Sequence, residues 1–376
     1  MRVLHVTPCY PPTWAYGGIP RVVYALARAQ VKIGLDVRVW TTDAFDAARR
    51  SGMPSTRIDH GVEVIVSRLV SNRLAWEQQL YLPVGSAPIA DVDVVHLHGH
   101  RNLLNYRAFR QAHNLGIPVV QTPNGTAPRI ERHQWAKWAW DLAFDGDIPR
   151  RAERVVAVSK AEIRQLLGVG VPADRIFRIP NPLHVEEFDD LPARGTFRTR
   201  YGIAGPLVAY LGQITPRKGV QHLVQAFANG ALGATTLVVA GAPRGIELPN
   251  APGVVYTGTL EGPDRLSLLV DADVLVYPSS DEVFGLVPME GLLCGAPVIV
   301  GGDCGCGELI AEAGAGLLTT HGDVAELRRH IAELIENRAA AERMVERGRA
   351  YVSEHLDPAR VAELYRNVYQ DVLRES

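Results

Sequence analysis

Short runs of β-branched and other apolar residues alternate along this chain with segments whose apolar positions recur every three or four residues. Strands are expected at 3–7, 37–41, 62–68, 93–98, 118–122 and 155–158, each a short run rich in β-branched residues. Helices are expected between them: at 19–33 before Gly34, at 103–115 before Gly116, at 129–144, and from the cap Ser159 through Leu167. This βαβα alternation predicts a parallel sheet covered by helices on both faces. Two prolines within four residues, Ile179-Pro180-Asn181-Pro182, interrupt it. The pattern restarts at 207–212, and strands follow at 237–240, 254–256, 274–277 and 297–300. The second half thus repeats the architecture of the first without repeating its sequence, and 179–182 is the expected hinge. After about Gly316 the chain is expected to be helical and charged. A last helix, 359–373, opens after Asp357-Pro358 with apolar positions at Val361, Leu364, Val368 and Val372.

Length supports this division. The chain has 376 residues, and a single core rarely grows beyond about 250–300. The fold class expected is α/β, with two Rossmann-like domains at 1–180 and 181–357. A net charge of −2 gives no global reason to expect nucleic acid as a partner. Four cysteines in a chain this long are not a disulfide framework. Cys9 and Cys294 read as small buried residues, and Cys304 and Cys306 as a tight Gly-rich loop in preference to a metal site. Met1 leads directly into a strand rather than a signal core, and no apolar run reaches about 18 residues. The compartment expected is the cytoplasm.

Ligands of open α/β sheets bind at the carboxyl ends of the strands, so chemistry is sought there. After the first strand, Gly17-Gly18 opens a helix behind Tyr16, a setting that suits an anion or a plain tight turn. The spacing is not GxGxxG. After the fourth strand comes His96-Leu97-His98-Gly99-His100. His96 and His98 point to one face. A substrate contact through His98 is preferred to a metal site, because no further ligand follows at suitable spacing; His96 and His100 are expected to be satisfied by backbone. At Asn124-Gly125, substrate contact and a simple turn both fit.

In the second half, Arg217-Lys218-Gly219 closes the loop after the strand at 207–212, with Gln213 just past its end. Two cations beside a helix start suit a diphosphate. Glu282 and Glu290 bracket a strand–loop–helix segment that contains Phe284, Gly285, Leu286 and Val287. Pro288 fits a first helical turn and would place Glu290 in it. The backbone N–H groups of 285–287 can then face an anion, and Glu290 can reach a diol.

These residues resemble the glycosyltransferases of the GT-B fold, and among them glycosyltransferase family 4, whose second domain is the glycosyl transferases group 1 domain. The resemblance rests on E-x7-E at Glu282 and Glu290, on Lys218-Gly219, on Gly17-Gly18, on His96-Leu97-His98-Gly99 and on Asn181. It covers essentially the whole chain. The family commonly has Arg where this chain has Gln213, and Arg217 is the candidate replacement.

The resemblance implies two domains facing across a cleft, with 358–376 returning to the N-terminal acceptor domain and 181–357 holding the donor. It implies a retaining, metal-independent transfer from a nucleoside-diphosphate sugar, without a cofactor, in bacterial polysaccharide, O-antigen or glycolipid assembly. Glu282, His98 and Lys218 would be catalytic. Gly18, Gln213, Arg217, Lys218, Phe284, Gly285, Leu286, Val287 and Glu290 would bind the donor, and Gly17, Asn124 and His98 the acceptor, a saccharide or a lipid-linked saccharide. The Trp-rich segment 129–141, with Arg129, Arg132, His133 and Lys137, reads either as a core helix or as a peripheral membrane contact at the inner face. Three other readings compete: a glycoside hydrolase with paired carboxylates, a nucleotide-sugar 2-epimerase of the same fold, and a non-catalytic sensor.

Overall fold

A computed structural model describes residues 1–13, 17–46, 48–129, 134–144 and 146–375. Tyr16, Arg132 and His133 lie outside the described residues. The chain divides into two units, Met1–His184 with His355–Ser376, and Val185–Glu354. The division falls four residues after the expected boundary and just past the two prolines.

The first unit is built on eight strands: β1 (Arg2–Val6), β2 (Asp36–Thr42), β3 (Thr56–Asp59), β4 (Val62–Ser67), β5 (Val94–His98), β6 (Val119–Thr122), β7 (Arg154–Ala157) and β8 (Ile176–Arg178). Their order is β3-β4-β2-β1-β5-β6-β7-β8, parallel except for the edge pair β3/β4. The order reverses between β1 and β5, which is the switch point where such sheets take ligands. Alternation along the strands makes two cores. Leu4, Val6, Val95, Leu97 and Val119 face one side. Val3, Val94 and Val120 face the other, beneath the helices Gly18–Lys32 and Pro358–Glu375.

The second unit carries six parallel strands: β9 (Leu207–Leu211), β10 (Thr236–Ala240), β11 (Val254–Gly258), β12 (Val274–Tyr277), β13 (Val298–Gly301) and β14 (Gly316–Thr319). Their order, β11-β10-β9-β12-β13-β14, places the switch between β9 and β12. Each unit is thus a mainly parallel, Rossmann-like α/β sheet.

Several expectations are corrected. The chain after Gly316 is not simply helical, because Gly316–Thr319 forms the edge strand β14; only the short run Leu317-Leu318 marked it. The edge strands β3 and β8 were also missed, being short, mixed in polarity and only partly buried. Of the Trp-rich helix expected at 129–144, the described part is Gln134–Ala143, with Arg129 and Phe144 outside it and 130–133 outside the described residues. In the last helix Leu364 is exposed, while Tyr365 and Tyr369 join Val361, Val368 and Val372 on the buried side.

Candidate functional site

At the switch of the second unit, two loops meet behind β9 and β12. The first runs through exposed Gln213 into a 3-10 turn, Pro216–Lys218, and then the helix Val220–Phe227. Gly219 joins turn and helix at φ +69°, and a Cβ there would overlap the Pro278 carbonyl oxygen of the second loop. The two loops therefore touch backbone to backbone, and this brings Lys218 to Glu282. The ammonium of Lys218 contacts both the Glu282 carboxylate and the Tyr277 hydroxyl. Tyr277 donates to the same carboxylate oxygen at 3.1 Å, and Ser279 Oγ donates at 3.2 Å. Burial works to raise the Glu282 pKa, but Lys218 and Arg217 outweigh it and hold the carboxyl below its ordinary value. Tyr277, buried and beside that charge, is pushed well up and stays a neutral donor. Arg217 is only half-buried, and its Nη1 donates to the Asp281 carbonyl at 3.1 Å.

Beyond Glu282 the chain turns through Phe284 into the helix Leu286–Cys294, with Gly285 at its N-cap in a positive-φ conformation (+76°). Among the described residues no side chain caps this helix. Its first N–H groups, at half-buried Leu286 and Val287, form the positive end of the helix dipole. Phe284 is buried, so any role toward a ligand falls to its backbone rather than to an exposed ring. Glu290 departs from expectation. It lies in the second turn, not the first, and is buried against Arg265, whose Nη1 donates to it at 2.5 Å. Arg265 donates to Glu187 as well, at 2.6 Å. Burial works against the Arg265 cation, and its two carboxylate partners more than restore it.

At the switch of the first unit, Gly17 (φ +100°) precedes the helix Gly18–Lys32, again without a side-chain cap among the described residues. Gly18 is exposed. His98 ends β5 and is buried. Its Nε2 lies 2.8 Å from Nδ1 of His5, on the neighbouring strand β1. The His96 ring lies behind it, tilted by 37°, with ring centroids 4.1 Å apart. The third imidazole absent from the local sequence thus arrives from another strand, and one ring nitrogen from each of His5, His96 and His98 lies within 4.8 Å of the other two. A metal could be held only by breaking bonds already made. His96 is engaged by the hydroxyls of Tyr369 (2.7 Å) and Thr122 (2.8 Å), not by backbone as expected, and His5 by Gln30 (2.7 Å). His100 is buried next to the Gln121 side chain. Burial drives all four histidines to the neutral form, His5 to about 4, His100 to about 3, and His96 and His98 well below their ordinary value. Asn124 adopts φ +52° and accepts from Asn181 Nδ2 at 3.0 Å.

Residues 203–351 match the family described as Glycosyl transferases group 1, and residues 16–187 match Glycosyltransferase Family 4. This chain belongs to glycosyltransferase family 4. It is 30% identical over 240 residues to a GDP-mannose-dependent alpha-mannosyltransferase of Mycobacterium tuberculosis, a match spanning 62% of this chain and 61% of that protein. In structure it is similar to a sucrose-phosphate synthase of Thermosynechococcus elongatus (TM-score 0.75, 19% identity, both chains fully covered). It is also similar to Anabaena HepE in complex with UDP-glucose (TM-score 0.71, 18% identity, 100% of each chain).

Some residues of this glycosyltransferase's two clusters carry no motif signal. Arg265, His5, Gln30 and Tyr369 come from elements distant in sequence, and only the fold assembles them, while Tyr277 ends the strand five residues before Glu282. Glu162 is another. Its carboxylate accepts from the N–H groups of Gly125 (2.6 Å) and Val158 (2.8 Å), clamping the Asn124-Gly125 turn, and burial raises its pKa to about 7. Ser159, expected as a cap, does accept from Glu162 N–H, but nothing local marked Glu162 itself.

Proposed function

We propose that this chain transfers a sugar from a nucleoside-diphosphate donor to an acceptor hydroxyl with retention of configuration and without a metal or other cofactor. The observation that carries the reading is the Lys218–Glu282–Tyr277 cluster beside the uncapped start of Leu286–Cys294. A departing diphosphate needs cations and free N–H groups aimed at the charge that develops. Lys218, Arg217 and the N–H groups of Gly285, Leu286 and Val287 supply them, with Gly18 and Gln213 as further donor contacts. Arg265 fixes one carboxylate oxygen of Glu290 and orients the group for a ribose diol. Glu282 is surrounded by three donors and is therefore a poor nucleophile. This supports front-face attack, with Glu282 holding sugar hydroxyls, over a double displacement on the carboxylate. On the acceptor side, Gly17, Asn124 and His98 are the contacts proposed. The relatives named above point to GDP-mannose and UDP-glucose as the first donors to try.

Thermal shift with UDP-, GDP- and ADP-sugars, each with and without EDTA, tests this. A donor at about 100 times its Kd adds about 2.7 kcal/mol. A shift with one base that survives EDTA is the expected result. A shift that requires metal, or none with any donor, overturns the reading. Product analysis separates transfer from 2-epimerisation of the donor, and binding without turnover identifies a sensor.

A second observation supports a lipid-linked acceptor at a membrane surface, in polysaccharide or glycolipid assembly. Trp135, Trp138 and Leu142 stand at i, i+3 and i+7 of Gln134–Ala143 and are all exposed, while Trp140 turns inward onto Phe144. An exposed aromatic and aliphatic stripe on a helix is a composition suited to a membrane interface. No helix among the described residues is long and apolar enough to cross a membrane. Sedimentation with anionic vesicles at low salt should retain the wild type and lose Trp135→Ser/Trp138→Ser; equal retention of both would remove the membrane from the proposal.

A further inference from the structure

The imidazoles of the first unit belong to one buried chain of hydrogen bonds. The Gln30 amide accepts from His5 Nε2 through its oxygen and donates to the Tyr369 hydroxyl at 3.1 Å through its nitrogen. Tyr369 contacts His96 Nδ1, His96 Nε2 contacts Thr122 Oγ1, and Thr122 Oγ1 contacts the Tyr365 hydroxyl at 3.1 Å. Every one of these side chains is buried. Proton positions then follow in sequence. A neutral His5 that donates through Nε2 has a bare Nδ1, so His98 must donate to it through Nε2–H. That leaves a lone pair on His98 Nδ1. This atom is buried and has no partner among the described residues, while every other ring nitrogen of the three imidazoles is engaged. The opposite amide orientation would reverse each bond and leave a buried orphan N–H at the same atom, the costlier arrangement.

We propose that the Tyr369–Gln30–His5 relay fixes His98 in its Nε2–H tautomer, leaving Nδ1 as the acceptor for a substrate hydroxyl. This rests on the reading of His98 as a substrate contact. Gln30, His5 and Tyr369 are positioning residues that act through it, and the C-terminal helix thereby sets the chemistry of a strand end. A ring nitrogen's role is decided by the bond its partner nitrogen makes.

Long-range ¹H–¹⁵N spectra of the full chain with ¹⁵N-labelled histidine read the tautomers directly, His98 being assigned by the signal lost in His98→Gln. The wild type should show His5 and His98 neutral and protonated at Nε2. Gln30→Met removes the amide, and Tyr369→Phe removes one oxygen with little change of shape. Either should move His98 toward the other tautomer. Nucleoside diphosphate release from GDP-mannose and UDP-glucose, run in parallel, should fall about ten- to a hundredfold in kcat with the donor KM unchanged. A wild-type His98 protonated at Nδ1, or one metal ion per chain lost in His5→Gln, overturns the relay. So does an unmoved tautomer in both variants. If the variants turn over normally while His98→Ala is inactive, the relay falls and the role of His98 stands. If His98→Ala turns over normally, both fall. Where neither donor is turned over, the spectra alone decide.

Discussion

Lys218 and Glu282 face each other with only 10% and 19% of their side chains exposed. A pair this dry is costly to break, because removing one partner strands the other charge. Glu282→Ala is expected to lower turnover about 10²- to 10³-fold, the scale of losing one preorganised polar group at a transition state. It should also destabilise the second unit by about 2–3 kcal/mol in urea denaturation, less than for a fully dry pair. Near-normal transfer by that variant would remove Glu282 from the mechanism. Much of this was legible in the sequence. The spacing of Glu282 and Glu290, the strand before them and the helix after them are local features, and local features survive in a one-dimensional pattern. The identity of the partners was not legible. Nothing near Glu290 in the chain announces Arg265, and the first-turn position expected from Pro288 failed because the helix begins two residues before that proline.

The helix Pro358–Glu375 shows the same limit at the level of an element. Its start, its length and most of its apolar stripe follow from Asp357-Pro358 and from spacing. The stripe was centred one position off, on Leu364, because tyrosine reads as an amphipathic surface residue until the polar groups it meets are known. Tyr365 and Tyr369 can be buried because Thr122, His96 and Gln30 satisfy their hydroxyls, Gln30 by donating to Tyr369. A buried phenol whose hydroxyl is satisfied behaves as a large core residue. Tyr369→Ala is therefore expected to cost about 3–5 kcal/mol, as for other large aromatic truncations. Tyr369→Phe should cost about 1–2 kcal/mol, for the polar groups it leaves unpaired. Urea denaturation followed by tryptophan fluorescence gives both values. Similar costs for the two would mean that the ring's packing is not what anchors this helix.

At the scale of the whole molecule the two units differ in how they meet acid. His5 and His100 are neutral when folded, with pKa values of about 4 and about 3 against an ordinary 6.5. A depressed histidine binds fewer protons folded than unfolded, so the stability it brings is complete above about 6.5 and is lost as pH falls toward the folded value. Glu162, raised to about 7, has the opposite sign: its penalty grows as pH rises from 4.5 to 7 and is relieved in acid. Between pH 6.5 and 4.5 two histidines oppose one glutamate, a net of about one proton, or about 1.4 kcal/mol per pH unit. His96 and His98 add to the histidine side. The first unit should therefore weaken steadily from pH 6.5 to 5. In the second unit Glu282 is depressed, so its contribution is kept until pH falls below the ordinary carboxylate range. All six tryptophans lie in the first unit, at positions 14, 40, 76, 135, 138 and 140. Tryptophan fluorescence thus follows that unit alone, while far-ultraviolet circular dichroism follows both. At pH 7 the fluorescence midpoint in urea should be at its highest. At pH 5 the stability it reports should be lower by about 2 kcal/mol, and the transition should separate from the later dichroism change. A fluorescence midpoint that does not move between pH 7 and 5 would mean that the imidazoles are charged or open to water in the folded protein, and the buried network would lose its energetic basis.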